Sequence, residues 1–261
     1  MSVLRGILLI VLLAPVGLMS ASAQNRGLLE VSGRVSINSK PVKLIRKRFY
    51  LFRGGLVANK AIVDKLKATE PATRDCFYCK LNASSEYIAW LRTGDCESPY
   101  CREITTDDIA KVREFQDAYQ KGLKRYPGKP LLAQKWLTTY LAPDLRDGFY
   151  RQRKALIANI LGGVKPLKTA MTDSITIAAT FIDIPLASTD PSTKSKETFL
   201  ISNLIPIEIG GKSYLWACEK DIGSSAKETL RLAVPEAGKT IKGCEVIIRD
   251  IPVCTTGSCQ K

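Results

Sequence analysis

Histidine is absent from all 261 residues. That absence removes Ser-His-Asp and Cys-His catalysis, His-ligated haem and most zinc enzyme sites. Acidic residues are few beside basic ones, 25 Asp and Glu against 39 Lys and Arg, which leaves a net charge of +14. The carboxylates do not form a catalytic pair by spacing. Asp107 with Asp108, and Asp144 with Asp147, stand where helix starts attract negative charge. After the first two dozen residues no apolar run is long enough to cross a bilayer, so no transmembrane segment is expected in the mature chain. On these grounds no catalytic residue, metal ligand or cofactor site is assigned.

The beginning of the chain has the parts of a secretory signal peptide. Arg5 supplies the positive region, Ile7 to Leu18 the apolar one, and Ala21-Ser22-Ala23 the small residues a signal peptidase needs. Cleavage is expected between Ala23 and Gln24, giving an exported protein, periplasmic or secreted. The eight cysteines then fall in the exported part: Cys76, Cys79, Cys96, Cys101, Cys218, Cys244, Cys254 and Cys259. An even number in an oxidising compartment reads as disulfides. The spacing allows nested pairs Cys76–Cys101 and Cys79–Cys96, a Cys218–Cys244 bridge across a β-sandwich, and a small Cys254–Cys259 loop, and it does not choose among pairings. Cys76 and Cys79 also form a C-x-x-C, so thiol–disulfide exchange stands as an alternative. With Lys80 that motif is similar to the C-x-x-C-K haem attachment site of ammonia-forming nitrite reductases. The companion C-x-x-C-H sites are missing, and no cofactor is expected.

The positive charge is concentrated. From Gln24 to Lys60 there are nine Lys or Arg against Glu30 alone. Lys43, Arg46, Lys47, Arg48 and Arg53 are its centre and the candidate polyanion contacts. Phe49, Tyr50 and Phe52 interleave with them, as in a base-stacking platform, although strand alternation would send some of these rings inward. An exported protein is not expected to bind nucleic acid.

Three zones follow the signal. Residues 24–54 read as strands: Leu28 to Val31, Gly33 to Ile37 after it, a turn at 38–41, and a strand from Lys47 to Arg53. Residues 55–163 read as helices. These are predicted at Leu56 to Ala68, at Ser84 to Leu91, from an N-cap at Thr105 to Arg125, at Leu131 to Tyr140, and from Pro143 to Leu161. Residues 164–253 return to strands: Ser174 to Ile184, Thr198 to Leu204, Ser213 to Glu219, Leu230 to Val234 and Cys244 to Ile251, with a polar loop at 188–196. A tail, 254–261, ends the chain. Two strands alone make no stable sheet, so the first zone needs partners that the third can supply. The expectation is an α+β fold: an antiparallel β-sandwich of 24–54 and 164–253, interrupted by an all-helical insertion, 55–163. Two independent domains divided near 163 are the competing arrangement.

Gly33-Arg34-Val35, Pro41-Val42 and Arg48-Phe49-Tyr50-Leu51 resemble the opening of carboxypeptidase regulatory-like domains. Thr172-Asp173, Thr180 to Pro185 and Thr198-Phe199-Leu200-Ile201 are similar to later parts of the same domains. The family pattern has a Gly after Thr-Asp and a short Pro-Gly turn, and both are missing here. The resemblance implies a transthyretin-like β-sandwich in the β zones, a non-catalytic binding or spacer role, and no active-site residues. The functional expectation is an exported, disulfide-stabilised binding or structural module of the cell envelope or extracellular space, with a protein or glycan partner. The alternatives are a thiol–disulfide oxidoreductase and a basic polyanion-binding surface protein. Oligomeric state is left open.

Overall fold

The computed structural model describes residues 26–37, 39–70, 72–187, 196–224, 227–236, 239–255 and 258–260, with side chains as far as Cys254. The expected signal segment and its Ala23–Gln24 cleavage site, most of the 188–196 loop and the Cys259 side chain lie outside the described residues. The fold is α+β. Strands β1 (Arg26–Ser32), β2 (Arg34–Ile37), β3 (Lys40–Lys43) and β4 (Arg48–Arg53) open it. Helices α1 (Lys60–Ala68), α2 (Arg74–Lys80), α3 (Ser85–Thr93), α4 (Thr106–Lys111), α5 (Arg113–Arg125), α6 (Pro130–Lys135) and α7 (Phe149–Leu161) follow. Then come β5 (Lys168–Met171), β6 (Ala178–Pro185), β7 (Glu197–Ser202), β8 (Ile207–Ile209), β9 (Lys212–Ile222), β10 (Lys227–Arg231), β11 (Cys244–Asp250), β12 (Val253–Thr255) and β13 (Ser258–Gln260).

The larger sheet runs β11-β9-β7-β4-β5, with β8 added on β9, and the smaller runs β10-β1-β6. Two hairpins, β2–β3 and β12–β13, stand beside them. Pairing between strands is antiparallel with one correction to the expectation: β1 and β10 run parallel, Leu28 opposite Lys227 through Ser32 opposite Arg231. Their nearly 200-residue separation frees the chain from hairpin geometry, which would have imposed the antiparallel sense. Strands before the helices thus take their partners from after them, since β4 lies between β5 and β7 and β1 between β6 and β10.

The sequence of β4, Arg-Phe-Tyr-Leu-Phe-Arg, carries four consecutive buried residues because both faces of its sheet are covered. Phe49 and Leu51 share a core with Leu29 and Val31 of β1, Phe181 of β6 and Trp216 of β9, so both sheets contribute to it. Tyr50 and Phe52 point to the opposite side, against Ile62, Val63 and Leu66 of α1 and Ile160 of α7. An exposed aromatic platform on this strand is therefore excluded. A third core lies in the helical region, with Cys254 of β12 packed against it: Tyr78, Tyr87, Trp90, Phe115 and Phe149 meet with largely edge-on rings.

The helix boundaries differ from the expected ones in instructive places. Thr105 does cap a helix: its hydroxyl accepts the Asp108 N–H while the Asp108 carboxylate accepts the Thr105 N–H. The helix then breaks at Val112, whose backbone is extended and whose side chain is buried in the aromatic core. The first helix starts at Lys60 rather than Leu56, because residues 56–59 form a turn fastened by the Asn59 amide to the carbonyls of Arg53, Gly54 and Gly55. The stretch 131–140 divides into α6 and a 3-10 turn at Leu137–Tyr140, and α7 is preceded by a π-helical turn at Asp144–Gly148. Helix α2, carrying Cys76 and Cys79, was not expected.

Candidate functional site

A cleft of about 600 Å³ opens where β4, α7, the start of α2 and the β7–β8 loop converge. Its rim takes up the basic run. Arg46, Lys47 and Arg48 line one side and Arg153 and Lys154 of α7 the other, with Arg74 beneath. Tyr50, Ile157, Leu161 and Ile207 make the apolar part of the wall.

The turn that presents these cations is tightly built. Arg46 has a left-handed backbone, φ 56°. Thr172 holds it there: its carbonyl accepts the Arg46 N–H at 2.9 Å, and its hydroxyl accepts the Lys47 N–H at 2.8 Å. Gly33 fills the floor of the same turn, accepting the Leu44 N–H and donating to Ile177 O, both at 2.8 Å. A Cβ at Gly33 would lie 2.9 Å from Ile177 O and 3.0 Å from Leu44 O, so a side chain has no room. Gly33 and Thr172, distant in sequence and both within the resemblance, thus meet at one point. Beside them, Asp173 accepts the N–H groups of Ile175 and Thr176, each at 2.6 Å. On the far wall, Asn203 is buried and fixes the β7–β8 loop. Its amide donates to Ile205 O and Tyr214 O, and its oxygen accepts the Trp216 N–H at 2.8 Å.

The charges of the cleft divide into paired and unpaired. Lys47 meets Asp95 at 2.9 Å, Arg153 pairs with Glu97, and Arg74 meets Asp75 at 2.9 Å. Burial lowers the Arg153 pKa to about 10, with Glu208, Tyr50 and Asp95 opposing the shift, so it stays charged at neutral pH. Desolvation raises the Glu208 carboxyl above its ordinary value, and Arg74 and Arg153 only partly offset this. Arg46, Arg48 and Lys154 are exposed and, among the described residues, have no acidic partner within ion-pair distance. The rim therefore offers three cations with their charge unspent. Such a site can hold an anion by charge-assisted hydrogen bonds, Arg48 being able to bind two oxygens at once.

Not all the expected basic contacts come together. Arg53 lies at the other end of β4, bound to Glu197 and to Pro185 O. Lys43 ends β3 outside the lining of the cleft. Sequence reasoning missed Arg153, Lys154 and Asn203, which lie over a hundred residues from the basic run; a cationic pair on an otherwise amphipathic helix was the one signal for the first two.

The cysteines are placed differently from the expected nesting. Cys79 bonds Cys254 and Cys96 bonds Cys101. Cys76 is also disulfide-bonded. A Cys76–Cys79 disulfide is thereby excluded, and the small Cys254–Cys259 loop with it. Both cysteines of the C-x-x-C are buried in α2. Cys218 bonds Cys244, as a directly opposed pair on the neighbouring strands β9 and β11 rather than across two sheets. Among the described residues no cluster of three His, Cys, Asp or Glu could hold a metal ion, and no helix is long and apolar enough to cross a membrane. Comparison with protein-family models, with curated proteins and with solved structures found no match.

Proposed function

We propose that this chain is an exported, disulfide-stabilised, non-catalytic binding module whose ligand is anionic and enters the cleft between β4 and α7. The observation that carries the reading is the rim itself: Arg46, Arg48 and Lys154 converge without acidic partners, while the other cations of the cleft are already occupied. An anionic glycan of the cell envelope or extracellular space would meet these cations through its carboxylate or sulfate oxygens.

The architecture supporting the cleft is read as one β-sandwich of residues 24–54 and 164–253, with the helices of 55–163 inserted. The pairing of β1 and β4 with later strands supports this, as does the core shared by the two sheets. The likeness to carboxypeptidase regulatory-like domains is in keeping with it, and the meeting of Gly33 with Thr172 gives that likeness a structural reason. Residues 1–23 are read as the export signal, and the disulfides suit the oxidising destination it implies.

Isothermal titration with a heparin-derived hexasaccharide tests the assignment. The double variant Arg48→Gln, Lys154→Gln is expected to bind about 10- to 100-fold more weakly, as losing two charge-assisted contacts implies. The same double change at Lys43 and Arg53 is expected to leave affinity within about twofold. Equal binding by both double variants would refute the cleft as the site.

A further inference from the structure

The far end of the helical region carries a second cationic surface, of a different kind. Between Ala118 and Pro143 there is no Asp or Glu, while Lys121, Lys124, Arg125, Lys129 and Lys135 all fall there. All five are exposed, and among the described residues none has an acid within ion-pair distance. Large apolar side chains stand among them. Leu131 is 80% exposed, Leu132 37% and Trp136 49%, on a helix whose Ala133 is fully buried. The surface is rigidly presented, because α5 and α6 approach closely at Gly122, where a Cβ would lie 3.1 Å from Ala133 O.

We infer that this α5–α6 tip docks on an anionic lipid surface. A soluble polyanion would satisfy the five cations but leave Leu131 and Trp136 in water. The headgroup region of a bilayer meets both needs: aromatic and leucine side chains enter the acyl boundary while Lys and Arg remain at the level of the phosphates. Each exposed cation adds attraction to an anionic leaflet, and five of them, none in an ion pair among the described residues, form the polybasic half of such a contact. The tip is separate from the cleft and does not depend on it.

Trp136 is the reporter, since Trp90 and Trp216 are buried. The full chain is mixed with vesicles of phosphatidylcholine containing about 30 mol% phosphatidylglycerol, and with phosphatidylcholine alone. The expected result is sedimentation with the anionic vesicles only, a blue shift of Trp emission, and quenching by brominated acyl chains. Trp136→Phe should abolish the shift and the quenching while largely keeping sedimentation. Leu131→Ser with Trp136→Ser should lower partitioning roughly tenfold at unchanged melting temperature. Lys124→Gln with Lys129→Gln should lower it by a similar factor, most visibly at low salt. Failure to sediment with anionic vesicles would overturn the inference. So would binding that responds to the lysine changes but not to Leu131→Ser with Trp136→Ser, which would assign the surface to a soluble polyanion.

Discussion

Glu114 is a carboxylate with almost no water around it. Its side chain is 6% exposed, yet it remains the acceptor of the Ser84 N–H at 2.7 Å, the Ser84 hydroxyl at 2.6 Å and Arg113 at 3.1 Å. Burial pushes its pKa upward, but the bonds from Ser84, then Arg113, outweigh it and leave it below the ordinary 4.5. Ser84 is also the N-cap of α3, accepting the Tyr87 N–H. One ionised group therefore fixes the start of α3 to α5. A carboxyl with a lowered folded pKa contributes stability that is fully present above the unfolded value and lost as pH falls through the folded one. Glu114→Gln is expected to cost about 2–3 kcal/mol at neutral pH. The gap to the parent protein should narrow as pH drops below 4.5. Urea unfolding across that range measures both.

At the scale of elements, β4 shows what patterning can reveal. Four apolar residues between two arginines are the mark of a strand covered on both faces, where alternation was the expectation, and the N-cap signal at Thr105 identifies a helix start. The break at Val112 was hidden, because the aromatic core it serves draws on α2, α3 and α7, and periodicity within one segment has no knowledge of them. Helix α2 escaped for a related reason. Seven residues with two buried cysteines give no amphipathic stripe, although Thr73 caps the helix by accepting the Cys76 N–H. The basic run could be read directly from composition. Its opposite wall on α7 could not, because only the pairing of β4 with β5 and β7 brings the two together. The entry to β2 offers a test of that assembly. Gly33→Ala is expected to destabilise by roughly 1–3 kcal/mol through overpacking against Leu44 and Ile177 carbonyls. It should also weaken hexasaccharide binding, by loosening the turn that carries Arg46. Thermal unfolding and titration on the same sample separate the two effects.

Across the whole molecule, polar and covalent links join α1 to the larger sheet and to α7, and α2 to β12. Arg249 of β11 donates to the carbonyls of Lys67 and Thr69 at the end of α1, and Lys65 donates to Asn159 O of α7 at 2.8 Å. One covalent link is Cys79–Cys254, which joins α2 to β12. An even cysteine count made disulfides legible. Their connectivity was not, because local spacing favours near pairs and the return of the tail to α2 is decided by the course of β11 and β12. Cys79→Ser with Cys254→Ser is expected to cost roughly 2–5 kcal/mol, given the long loop this bond closes. Differential scanning calorimetry of the double variant should show the lower melting temperature. An unchanged one would mean that this bond is not what holds the tail.

That bond also sets a clock. Cys79 and its partner are 175 residues apart, so the native pair cannot exist until Cys254 has been made. A chain that stops short lacks the partner, and its Cys79 is left as a thiol or in a wrong pairing. Synthesis as far as Cys254 is thereby written into the oxidation state of one buried sulfur.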